Sequence, residues 1–76
     1  MKIKVRAYGS LQERIASKNW LELELDPGIT ITGLLEKFEI SEGELMMVIK
    51  RGKQCPLDYV ICENDEFQFL PPVCAG

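Results

Sequence analysis

The chain contains no histidine. That removes the commonest metal ligand and the one side chain whose ordinary pKa lies near neutrality. Cysteine is scarce and odd in number: Cys55, Cys62 and Cys74, with no Cys-x-x-Cys pair. Such a pattern argues against a disulfide framework and against a zinc site, and no metal site is expected. The thiols read as reduced, which implies a cytoplasmic protein. No apolar stretch approaches the ~20 residues needed to span a bilayer. The opening Met1-Lys2-Ile3-Lys4-Val5-Arg6 alternates charge with apolar residues and does not read as a signal peptide. A membrane partner is therefore not expected. Basic residues are in the minority, nine Lys and Arg against twelve Asp and Glu, for a net charge of −3. A nucleic-acid binder would need a basic face, so no nucleic-acid partner is expected either.

What remains is an ordinary globular composition, 46% hydrophobic and 28% charged over 76 residues, enough for one domain. A chain this short buries only about 60% of its unfolded surface. There is little room for a deep catalytic cleft, so function is expected on a surface or at a terminus.

Lys2 to Ala7 alternates strictly, with Ile3, Val5 and Ala7 on one face and Lys2, Lys4 and Arg6 on the other, which predicts a half-buried strand. Gly9-Ser10 breaks it. Ser10 and Glu13 have capping-box spacing for a short helical turn with Leu11 and Ile15 inward. Trp20 to Leu25 alternates again, now with Glu22 and Glu24 outward, so an antiparallel hairpin would match opposite charges across strands. Asp26-Pro27-Gly28 is a turn. Thr30 fits an N-cap, and Ile31, Leu34, Leu35 and Phe38 recur at helical spacing. Gly33 inside that helix suggests close packing against a sheet. Leu45 to Ile49 is a continuous apolar run, expected to be a strand covered on most of both faces, with Met46 and Met47 in the core. Lys50 to Lys53 reads as a solvated basic turn. Leu57 to Cys62 is expected to be partly extended, Glu63 to Asp65 a tight turn, and Glu66 to Leu70 the last strand with Phe67 and Phe69 inward. Cys55 and Cys62 read as small packing residues. Strands around one long helix predict a single sheet layered on that helix, an α+β fold.

The sequence closes on Phe69-Leu70-Pro71-Pro72-Val73-Cys74-Ala75-Gly76. Proline cannot continue a sheet ladder, so the strand must stop at Pro71. Residues 1–72 are expected to form the domain and 73–76 a thin, flexible tail. A tail ending in glycine suits insertion into another protein's active site, with chemistry on the terminal carboxylate. The alternative is a frayed terminus without a role.

Three segments carry a family resemblance. They are Val5-Arg6-Ala7-Tyr8 followed by Leu11-Gln12-Glu13, Pro27-Gly28-Ile29-Thr30-Ile31 leading into Leu34-Leu35-Glu36-Lys37, and above all Glu63 through Val73. In order, length and ending the chain resembles the ubiquitin-like sulfur carriers, the family that includes the molybdopterin synthase small subunit (MoaD) and the thiamine sulfur carrier (ThiS), and is nearer to the MoaD branch. The resemblance implies a β-grasp fold, a mixed sheet wrapped on one helix. It implies that an adenylating enzyme of the MoeB/ThiF type, using ATP and Mg, activates the carboxylate of Gly76. A sulfur donor then converts the acyl-adenylate to a thiocarboxylate, and the sulfur passes to an intermediate inside a MoaE-like large subunit. Val73, Cys74 and Ala75 would thread the partner's active site, and Leu70, Pro71 and Pro72 would dock it. The chain itself would bind no cofactor and would be a carrier, not an enzyme.

Two stretches depart from the family pattern. Ala75 stands where the family has glycine, adding a methyl group and disfavouring positive φ. Lys50-Arg51-Gly52 replaces an apolar residue and Asn-Gly. Other readings stay open: a carrier for thiamine or tRNA thiolation, a protein modifier, or a ubiquitin-like binding module that is never activated. Leu70, whose parity is opposite to Phe67 and Phe69, either docks a partner beside the tail or seals an edge of the core. Cys74 has no activating neighbour in sequence and reads as incidental.

Overall fold

The alternating patterns at the start of the chain build a hairpin. In a computed structural model describing residues 1–72, β1 (Lys2–Ala7) pairs antiparallel with β2 (Leu21–Glu24). The register sets Lys2 opposite Glu24 and Lys4 opposite Glu22, so the outer faces match in charge as expected. Each exposed pair contributes at most about 1 kcal/mol, so register specificity is the larger effect. Between the strands lies the short helix α1 (Leu11–Ile15), with Leu11 and Ile15 buried. Its expected capping box does not form. Ser10 has helical φ/ψ of −63° and −20°, and its side chain makes no capping bond; a cap needs an extended backbone to reach the free N–H groups. The turn carbonyls of Tyr8 and Gly9 accept from Leu11 and Gln12 instead, at 3.2 Å each.

Thr30 does cap α2 (Ile31–Lys37). Its backbone is extended and its side chain accepts from the Gly33 N–H at 3.3 Å. Ile31, Leu34 and Leu35 face the core. Gly33 is explained by the residue before the cap and not by the sheet. A Cβ at this position would stand 2.8 Å from Ile29 Cγ1, so Ile29 folds over the first turn only because position 33 is bare.

The polar connection after α2 contains one 3-10 turn, Glu42–Glu44. Glu44 holds Ser41 in a capping box and also receives the Arg14 guanidinium, at 2.9 Å from Nε and 2.7 Å from Nη2, tying this turn to α1. The Ser41 backbone N–H and then Arg14 hold the Glu44 carboxyl below its ordinary 4.5. Its folded pKa is depressed, so its stabilisation is present above pH 4.5 and is lost as pH falls through the folded value. The melting temperatures of wild type and Glu44→Gln are expected to differ at pH 7 and to converge under acid, a comparison made by thermal denaturation at a series of pH values.

β3 (Met47–Lys50) and β4 (Lys53–Cys55) form a second hairpin. Its two turn residues, Arg51 and Gly52, have φ of 51° and 79°, the type I′ arrangement that matches strand twist and favours Asn-Gly. Arginine tolerates this region poorly. Arg51→Asn is expected to stabilise the domain by about 0.5 kcal/mol, read as a higher urea midpoint at unchanged slope. The segment Leu57 to Cys62 is partly extended, as expected: after a turn at Leu57-Asp58 it makes one isolated antiparallel bridge, Thr30 to Val60, but no full strand. The strand lies earlier, at Lys53–Cys55, where only Cys55 is buried. An exposed, lysine-bearing edge strand has no apolar alternation to announce it.

β5 (Glu66–Leu70) takes the centre of the sheet, in the order β2-β1-β5-β3-β4, parallel to β1 and antiparallel to β3. Phe67 and Phe69 are fully buried. Phe69 meets Phe38 and Phe67 meets Tyr59 edge to face, with ring centroids 6.3 and 6.2 Å apart. The core joins Ile3, Val5, Val48 and these phenylalanines to Ile31, Leu34 and Leu35 of α2, which is the expected α+β layer. Among the described residues no helix is long and apolar enough to cross a membrane.

Candidate functional site

Because β5 is central, its outward residues are flanked on both sides. Leu70 is half-buried and faces outward, opposite Met47 of β3, and its carbonyl accepts from the Met46 N–H at 2.8 Å. Of its two readings, it therefore lies on the open face beside the chain's exit. Tyr8 closes the other side, donating its N–H to the Phe69 carbonyl at 3.2 Å and its hydroxyl to Gln68 Oε1 at 3.4 Å. Pro71 is half-buried beside Gly9. A Cβ on Gly9 would stand 3.1 Å from Pro71 Cγ, and Gly9 has φ of +57°, so the turn after β1 both needs a glycine and leaves the proline its seat. Pro72 is exposed. The exit from the sheet is thus fixed by Leu70, Pro71 and the Tyr8-Gly9 turn. Val73, Cys74, Ala75 and Gly76, the expected tail and its carboxylate, lie outside the described residues.

The methionines correct the sequence-based reading. Met46 is 55% exposed, Met47 and Ile49 are half-buried, and only Val48 of the run is core. The cause is parity: Val48 pairs with Phe69 and faces inward, so Met47 and Ile49 must face out. The helix layer covers the inner face alone. Met47, Ile49, Leu70 and Tyr8 consequently form a mostly apolar patch around the exit, rimmed by Arg6 and Gln68, while Met46 precedes the strand and is exposed on its own account. Tyr8 and Arg6 gave no functional signal of their own in sequence. Their outward parity was readable, but their neighbours across β5 were not.

Lys50 is not in a solvated turn. Its ammonium lies 3.8 Å from Asp65 Oδ1 and 5.4 Å from the centre of the Tyr59 ring. Asp65 is only 5% exposed. Its Oδ2 accepts from the Tyr59 hydroxyl at 2.8 Å and the Cys62 N–H at 2.9 Å. That hydrogen bond, with desolvation, pushes the Tyr59 phenol well above its ordinary range. The clasp pins residues 59–62 to the start of β5. Cys55 is buried as expected and burial pushes its thiol pKa up, which makes it a packing residue; Cys62 is exposed and is not one.

The sequence model of the ThiS family matches residues 5–76. No curated protein matches the chain. Among solved structures, the small archaeal modifier protein 1 (SAMP1) of Haloferax volcanii superposes with a TM-score of 0.74 at 17% identity, covering 100% of each chain. A Pyrococcus furiosus protein assigned provisionally as molybdopterin converting factor subunit 1 gives 0.76 at 19%, covering 96% of this chain and 99% of its own. Subunit 1 in the complex of subunits 1 and 2 of the Helicobacter pylori molybdopterin-converting factor gives 0.64 at 20%, covering 100% of each. At these identities the likeness is one of fold, and the five-stranded mixed sheet with its helix is the ubiquitin-like β-grasp expected from the sequence.

Proposed function

The chain belongs to the ThiS family of ubiquitin-like sulfur carriers, and on that premise we propose that it carries sulfur as a thiocarboxylate on Gly76 for molybdopterin or tungstopterin synthesis. The observation that carries this reading is the extent of the family match, which runs to Gly76. A patch of apolar side chains around the exit at Leu70, Pro71 and Pro72 supports it, since a carrier must dock before its tail can enter a partner.

A carboxylate is a poor electrophile. An adenylating enzyme of the MoeB/ThiF type supplies Mg-ATP. The Gly76 carboxylate attacks the α-phosphorus and pyrophosphate leaves. Sulfide, or a sulfur donor of equal oxidation level, attacks the acyl carbon and AMP leaves with the oxygen. The thiocarboxylate then delivers its sulfur inside a MoaE-like large subunit, a partner suggested by the Helicobacter pylori complex of subunits 1 and 2. The carrier has no histidine, so the proton transfers belong to its partners.

The test is the intact mass of the chain after incubation with its host's adenylating enzyme, Mg-ATP and sulfide. The expected result is a mass rise equal to exchanging one oxygen for sulfur, lost when Gly76 is deleted. No rise in the wild type, with a rise in Ala75→Gly, would mean that Ala75 silences the tail and that the domain is a binding module. A second reading, protein modification, draws on the likeness to a small archaeal modifier protein; conjugates of higher mass on a denaturing gel would favour it.

A further inference from the structure

The outer stripe of β1 carries three cations, and two of them stand opposite acidic residues in the register, beyond ion-pair distance. Lys2 stands opposite Glu24. Lys4 has Glu22 on one side and Glu66 on the other. Arg6 is different. Its neighbour on β5 is Gln68, and beyond Gln68 stands Ile49. On the other side the ladder ends at Val5 and Leu21, and the preceding residue is Trp20, 39% exposed. The guanidinium lies 5.3 Å from the centre of the Tyr8 ring, and its Nε is enclosed without an acceptor among the described residues. An enclosed donor left without an acceptor is costly to the free domain, and the stack on Tyr8 offsets only part of that.

The next row of the same face is Tyr8, Leu70 and Met47, the apolar patch at the exit. Arg6 therefore puts one uncompensated positive charge, in a planar fork, against the rim of a surface otherwise suited to apolar contact. We infer that Arg6 is a specificity-determining residue for docking, and that the protein partner seated on this face brings a carboxylate to the Arg6 guanidinium beside its apolar contacts. This rests on the carrier reading above. The fork geometry matches a carboxylate with two parallel hydrogen bonds, and closure of the interface would remove the water that weakens the pair. A partner with an apolar group at this point would leave the guanidinium buried and unpaired, and would be rejected.

Isothermal titration of the full chain into its host's large synthase subunit, and separately into its adenylating enzyme, at two salt concentrations tests this. Arg6→Gln is expected to weaken binding to at least one of them by about ten- to thirty-fold at low salt and to flatten the salt dependence. Arg6→Lys is expected to keep the salt dependence while recovering only part of the affinity. Both variants should melt within about 4 °C of wild type. If the wild type binds and Arg6→Gln binds equally well with the same salt dependence, the inference fails and the carrier reading stands. If the wild type binds neither protein, the carrier reading fails and takes the inference with it. A much larger loss of melting temperature in both variants would assign Arg6 to the fold and overturn its role in docking.

Discussion

Asp65→Ala is expected to lower the stability of the domain by about 3 kcal/mol and its melting temperature by roughly 15 °C. The carboxylate is buried and takes two short hydrogen bonds, from Tyr59 and from the Cys62 backbone, with Lys50 behind it. Removing it leaves a phenol, a backbone N–H and an ammonium without the acceptor that the nearly buried carboxylate provides. Asp65→Asn keeps the shape and one acceptor, so it should cost about half as much. Urea denaturation of the two variants separates the cases; equal stability of Asp65→Ala and wild type would show that the clasp is decorative. Because the Tyr59 pKa is raised in the fold, its contribution is fully present below its ordinary value of 10 and is lost only as pH climbs through the folded value. The clasp should therefore hold unchanged through neutral pH.

Leu70→Asp is expected to leave the fold nearly intact and to abolish docking. Leu70 faces outward, so the substitution should cost the free domain no more than about 1 kcal/mol, mostly in strand propensity. At the interface it would place a charge against apolar surface without a partner. A loss of binding of at least about a hundred-fold follows, against about ten-fold for Leu70→Ala. Titration into the large synthase subunit reads the loss of binding, and thermal melting reads the cost to the fold. Binding of Leu70→Asp at wild-type strength would mean that the partner sits elsewhere and the tail alone guides it.

Much of this architecture could be read directly from the residues. Strict period-two alternation located β1 and β2 and matched their charges. Thr30 with Ile31, Leu34 and Leu35 located α2, and the phenylalanine parity located β5. These elements are amphipathic in isolation, so local pattern suffices. The failures share a cause. Lys53–Cys55 is a strand only because β3 pairs with it, and nothing in Lys-Gln-Cys says so. Met47 looks like core until the number of layers is known, because an apolar run does not say that one face of its sheet is bare, and Met46 looks like strand although it lies in the bend before β3. Ser10 has the right spacing for a cap but the wrong backbone. Asp65 looked like a turn residue; that its carboxylate is buried depends on Tyr59 and Lys50, which the fold brings to it. The residues around Leu70 come from β1, β5 and β3 and the turn after β1, and their adjacency exists only once β5 lies between β1 and β3.

The parallel pairing of β1 with β5 has a practical consequence for anyone handling the protein. Both strands run the same way, so whatever is joined ahead of Lys2 emerges at the far end of the sheet from Pro71. Over the six residues of β1 that is about 20 Å. An affinity tag or fluorescent fusion placed ahead of β1 should leave the exit clear, whereas on the proposed function even a few residues added after Gly76 would block the carboxylate that is to be activated.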